Sequence, residues 1–157
     1  RSGPDPLVVM VAPGIDYWQA WNYHICQNLV HRGLVSREDP SLYTITDDLE
    51  VACAAIRDFY RIYHSSRYVG KKFVMRLNSE LSDAQVEQLN QDFSDILVQG
   101  SIEKSQALPE ELGDETESLP RLVFDFNQRD SGRLYQMIAQ INRFGTTSPE
   151  TEHPERK

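Results

Sequence analysis

Apolar positions change their period along this chain. Residues 7–12, LVVMVA, form an unbroken apolar run between Pro6 and Pro13. Such a run predicts a strand covered on both faces, as in a parallel sheet. The turn PGID follows, with Asp16 as a helix N-cap. Trp18, Trp21, Ile25 and Leu29 then recur at helical spacing up to Gly33. LYTITDD (42–48) predicts a short strand and a helix start, with Asp47 and Glu50 in capping-box spacing. Leu49, Cys53, Ile56, Tyr60 and Tyr63 continue one helical stripe, predicting a closing helix over 48–65.

From residue 72 the period is two. KFVMRLN (72–78) and RLVFDFN (121–127) alternate apolar and polar positions, each ahead of a helical pattern. They form a weak internal repeat of a strand–helix unit. The first helix has Ser82 and Gln85 in capping-box spacing, a stripe of Val86, Leu89, Phe93 and Ile96, and a stop at Gly100. The second carries Leu134, Ile138 and Ile141 and ends at Gly145. SIEKSQAL (101–108) predicts a third strand, and PEELGDETESLP (109–120) an acidic loop. An antiparallel sheet with two helices on one face would bury both patterns. The predicted fold class is therefore α/β. Terminal strand–helix units of a Rossmann-like parallel sheet (1–68) precede a small βαββα module of α+β type (69–145), and 146–157 is a polar, disordered tail.

Composition narrows the chemistry. The chain has 157 residues, 39% of them hydrophobic, and a formal net charge of −8. That supports a packed core and argues against general nucleic-acid binding, which needs clustered Lys and Arg. No apolar run reaches membrane-spanning length, and no secretory signal opens the chain. Cys26 and Cys53 have the character of reduced cytosolic residues on core faces. The opening RSGPDP, without Met, reads as a cloning remnant or a cut end, and the chain is expected to begin inside a larger fold.

No glycine-rich phosphate loop, GxSxG or HExxH occurs, and the four histidines lack ligand spacing. Neither a catalytic residue nor a metal or cofactor is assigned. The positive charge is local: Arg57, Arg61, Arg67, Lys71, Lys72 and Arg76 stand against Asp58 alone in residues 57–76. Two readings are open. Cations can sit in a last helical turn because the helix dipole stabilises them. Alternatively, Arg61, His64 and Arg67 form an anion site, with nearby tyrosines as stacking surface or hydroxyl donors. A second candidate is the turn PGIDYW (13–18), outside the carboxyl end of a strand. There Gly14 admits a close ligand and Tyr17 covers it; the competing reading is a plain strand–helix turn.

A family resemblance joins these features. VVMVAPGIDYWQAWNYHICQNLVHRGLVSREDPSLYTITDDLEVACAAI resembles the last strand–helix–strand–helix portion of LOG-type proteins, the Rossmann-like nucleotide-binding proteins often labelled "lysine decarboxylase-like". The matching features are Gly14 with Tyr17 and Trp18, the GLVS turn (33–36), and TDDLEVA at the start of the closing helix. FYRIYHSSRYVG and the βαββα segment look like the carboxyl-terminal extension of a longer-chain subgroup. The resemblance implies cleavage of the N-glycosidic bond of nucleoside 5′-monophosphates, a homo-oligomer, and a cytoplasmic location. The family's glycine-rich loop and its PGGxGTxxE motif do not occur here. The chain is then the carboxyl-terminal part of a longer enzyme, inactive alone. Its expected partners are a nucleoside monophosphate or other small phosphorylated ligand, and a missing amino-terminal segment or second subunit; neither nucleic acid nor membrane is expected. The alternative is a non-catalytic regulatory or assembly module that binds a small anion.

Overall fold

The computed structural model of the protein describes residues 3–10, 23 and 43–146. It is mixed α/β, with a parallel pair of strands and a four-stranded antiparallel sheet. Strand β1 (Leu7–Met10) runs parallel to β2 (Tyr43–Thr46), with Leu7 opposite Tyr43. Parallel neighbours require a long crossover, here residues 11–42. Of the helix predicted over 16–33, Tyr23 is described and is helical; the rest of it, with Gly14 and Tyr17, lies outside the described residues, as does the predicted tail after Thr146.

Helix α1 spans Leu49–Phe59. Its N-cap is Asp48 rather than Asp47: the Asp48 carboxylate accepts from the backbone N–H of Glu50 at 2.8 Å and of Val51 at 3.3 Å. The helix stops short of the predicted residue 65, and a side chain far along the sequence accounts for the difference. Asn142 Oδ1 accepts from the N–H groups of Ile62 (2.8 Å) and Tyr63 (3.0 Å), while its Nδ2 donates to the carbonyl of Phe59 at 2.6 Å. Those backbone groups are thereby satisfied without another helical turn.

The chain reverses at Tyr60–Ile62 and enters strand β3 (Tyr63–Val69). Strands β4 (Lys72–Leu77), β5 (Glu103–Ser105) and β6 (Arg121–Phe124) complete the sheet in the order β3-β4-β6-β5, antiparallel throughout. Gly70, at φ +59°, is the first of two residues in the β3–β4 turn, where a type II′ hairpin places glycine. The four-stranded sheet thus begins at Tyr63. The predicted β-α-β-β-α order follows from residue 72, with one further strand ahead of it.

Helix α2 (Asp83–Phe93) starts at the predicted Ser82–Gln85 capping box. It ends before Gly100 because Ser94–Ile96 tighten into a 3-10 turn and Leu97 bridges to Phe126. Helix α3 (Ser131–Phe144) is capped by Gly145, as predicted. Phe73, Met75, Leu77, Leu122 and Phe124 on one sheet face pack with Leu89 and Phe93 of α2 and with Leu134, Met137, Ile138 and Ile141 of α3. This is the two-helix layer that the period-two and helical patterns require.

Candidate functional site

Residues 59–70 carry the sequence's densest mixture of aromatic and basic side chains, and the structure makes them a turn and a strand. Tyr63 is fully buried. Its hydroxyl lies 3.2 Å from Ser66 Oγ and donates to the Pro4 carbonyl at 3.2 Å. The Tyr60 hydroxyl donates to Asp5 Oδ1 at 2.6 Å, and that of Tyr135 to the Asp5 carbonyl at 3.0 Å. Burial pushes the Tyr135 hydroxyl above its ordinary pKa. Residues 3–5 are therefore strapped onto the tyrosines just ahead of β1. Gly3 is required in this strap: its φ is +105°, and an added Cβ would lie 2.0 Å from Ser66 Oγ.

The residues predicted as an anion site do not share one helix edge. Arg61 lies in the turn after α1 and pairs with Asp58. His64 occupies the irregularity between Tyr63 and Ser65, its Nδ1 2.8 Å from Ser65 Oγ. Arg67 opposes Val74 on β4, so with Ser65 it belongs to the sheet face away from the helices. On that face Arg76 and Arg121 are directly opposed across β4 and β6. Like charges so placed repel, and Glu111 resolves the conflict. Its Oε1 accepts from Arg76 Nε (3.1 Å) and Nη2 (2.7 Å), and its Oε2 from Arg121 Nε at 2.8 Å.

The Glu111 and Arg121 side chains are fully buried, and Arg121 also donates to the carbonyls of Thr116, Glu117 and Leu119. Burial alone would raise the Glu111 carboxyl; hydrogen bonds from Arg76, the Leu108 N–H and Arg121 outweigh it and hold the group below the usual carboxylate range. Hydrogen bonds from Thr116, with the nearby charges of Arg76 and Arg67, likewise lower Asp114. The acidic loop is thus folded against the sheet. Its composition marks it as a solvated loop, and only the pairing of two distant strands shows why one of its carboxylates is inside.

A cleft of about 670 Å³ separates the parallel unit from the antiparallel module. One wall comes from Leu7 and Val8 of β1, Thr44 of β2, and Ala55 and Phe59 of α1. The other is a stripe of α3: Arg133, Gln136, Ala139, Gln140 and Arg143, opposite its core stripe. A neighbouring cavity of about 390 Å³ shares Thr44, Ala55, Phe59, Ala139 and Arg143 and adds Asp58, Arg61 and Thr146, so the two are continuous. Clefts of this size between structural units are the usual place for a small ligand.

Comparison with protein-family models, curated proteins and solved structures finds no match for the chain. The functional reading rests on the described residues themselves, those of the cleft among them.

Within it, Arg133 is held by Asp95 (Nε to Oδ2, 2.8 Å), by the Asp92 carbonyl (2.6 Å) and over the Phe93 ring at 4.6 Å. The Asp92 carboxyl is lowered by hydrogen bonds from Gln140 and Gln88. Among the described residues, no group of three or more His, Cys, Asp or Glu could hold a metal ion, and no helix is long and apolar enough to cross a membrane. Of the predicted residues that are described, Arg61 lines the adjoining cavity, and His64 and Arg67 line neither. Sequence reasoning missed Gln136, Gln140 and Arg143, whose spacing marked them only as the polar side of an amphipathic helix.

Proposed function

We propose that this chain is the carboxyl-terminal portion of a LOG-like nucleotide-binding protein, non-catalytic by itself. The parallel unit extends the sheet of a nucleotide-binding body that carries the catalytic groups. The antiparallel module serves regulation or assembly.

The supporting observation is the surface of the parallel unit. Leu7, Val9 and Met10 of β1 are 46%, 36% and 49% exposed, although parallel strands of this composition are normally covered on both faces. On α1, Leu49 and Ile56 are 65% and 43% exposed, while small Ala52 is the buried residue. Leu49 and Ile56, expected to face the core, instead face outward, while Cys53 is half-buried and Tyr63 is fully buried. Exposed apolar surface of this kind marks a contact with another body.

The test is the reading frame ahead of Arg1, with an assay of both products. A glycine-rich loop and PGGxGTxxE upstream are expected. The longer product should release ribose 5-phosphate from nucleoside 5′-monophosphates, and this chain should release none. Absence of both motifs, or release by this chain alone, overturns the proposal.

A further inference from the structure

The acidic loop on the outer sheet face is held there as a ligand would be. Among the described residues, every hydrogen bond and ion pair of the Arg76 and Arg121 side chains goes to residues 111–119. Arg76 pairs with Glu111 and, at 3.4 Å, with Asp114. Arg121 pairs with Glu111 and donates to the carbonyls of Thr116, Glu117 and Leu119. Glu111 turns one oxygen to each guanidinium and further accepts from the Leu108 N–H at 3.4 Å. Arg67 adds a third guanidinium at the rim: it lies two positions along β3 from Ser65, the partner of Arg76, and its charge reaches Asp114.

Apart from these polar contacts, little fastens the loop. Glu111 is the buried residue of 109–119; Pro109 and Leu112 are exposed, Leu112 at 63%. The backbone hydrogen bonds of Glu111, Leu112, Asp114, Glu117 and Leu119 all run to carbonyls of 108–116, within the loop and its approach. Arg76 and Arg121 stand on the face opposite the helices, so the loop can lift while Met75 and Leu122 stay packed beneath α2 and α3. A buried carboxylate between two arginines adds little over an apolar contact of the same size. It is a poor choice for a permanent fastening and a good one for a contact that another anion can replace.

We infer that residues 109–119 are a lid over a phosphate-binding site, with Glu111 as its tethered occupant. An incoming phosphate takes the place of the Glu111 carboxylate between Arg76 and Arg121, and the loop is released. Arginine grips carboxylate and phosphate with the same planar fork of N–H donors, and phosphate brings more charge. The inference does not rest on the family reading: it concerns the antiparallel module, and the upstream sequence leaves it untouched.

The test is amide hydrogen exchange of the full chain, with inorganic phosphate and glycerol 3-phosphate as separate arms and sodium chloride at matched ionic strength as the control. Phosphate in either form should quicken exchange in residues 109–119 and leave α2 and α3 unchanged; the stronger arm tells free ion from phosphate ester. Glu111→Ala removes the tethered occupant, so calorimetry should show phosphate bound about tenfold more tightly than by the unmodified chain. Adding Arg76→Gln to that variant should abolish the gain. No quickening at millimolar phosphate, equal quickening by chloride, or no tighter binding by Glu111→Ala overturns the inference. Should the Glu111→Ala chain fail to fold, exchange in the unmodified chain decides: quickening confined to the loop and specific to phosphate supports the lid, and its absence overturns it.

Discussion

The parallel unit and the antiparallel module contain similar apolar residues and place them differently. In the module, Phe73, Met75, Leu77, Leu122 and Phe124 are buried beneath two helices. In the parallel unit, Leu7, Met10, Leu49 and Ile56 remain open to solvent. Apolar pattern therefore specifies which residues can be buried, and the partner layer decides which are. The module has its partner within the described chain: α2 and α3 cover one face, and a folded acidic loop ties down the other. Among the described residues, the parallel unit has α1 against it, with small Ala52 as the buried residue of that helix.

Replacing Glu111 should produce the largest break in this contrast. Glu111→Ala leaves Arg76 and Arg121 opposed and buried without a carboxylate, a loss of about 3–5 kcal/mol. Urea unfolding of the module should show it as a lower midpoint. The same group sets an acid limb. Its carboxyl titrates below the ordinary value in the folded chain, so its stabilising contribution is complete above the unfolded pKa. It is lost as pH falls through that value and then through the folded one. Glu111→Gln should flatten that limb, and an unchanged acid profile would contradict the role given to this residue.

Asn142 tests the connection between the two units, since it bonds the last carbonyl of α1 and the first N–H groups of the β3 approach. Asn142→Leu leaves these buried groups without partners, at about 1–3 kcal/mol. Amide exchange should then quicken at Ile62 and Tyr63 first, and in β4 and β6 least.

Leu49→Ser and Ile56→Ser should have the smallest effect, within about 0.5 kcal/mol in the isolated chain. The equivalent change at buried Met137 or Leu122 would be severe. If the α1 substitutions cost as much as a core change, the outward face is covered within the chain, and the contrast between the units is wrong.

Much of the module was legible from residues alone. Period-two alternation located β4 and β6, Ser82 with Gln85 marked the start of α2, and Gly145 marked the end of α3. The parallel pairing of β1 with β2 was also anticipated, from the unbroken apolar run. Residues 60–65 were misread as helix because Tyr60 and Tyr63 satisfy a helical spacing, while the strand's evidence lies in partners elsewhere. Among the described residues that line the cleft, Arg61 was singled out, through local charge density.

What the sequence determined by itself is therefore local: periods, caps, turns and the sign of charge in a segment, all set by neighbours within a few positions. The tertiary structure decided where α1 ends, through Asn142, and which of its faces is inward. It placed Glu111 between two opposed arginines and turned the polar side of α3 into the wall of a cleft. The physical reason is common to these cases. Each depends on satisfying a buried polar group, or covering an apolar one, with a residue distant in the chain, and no local pattern records that pairing.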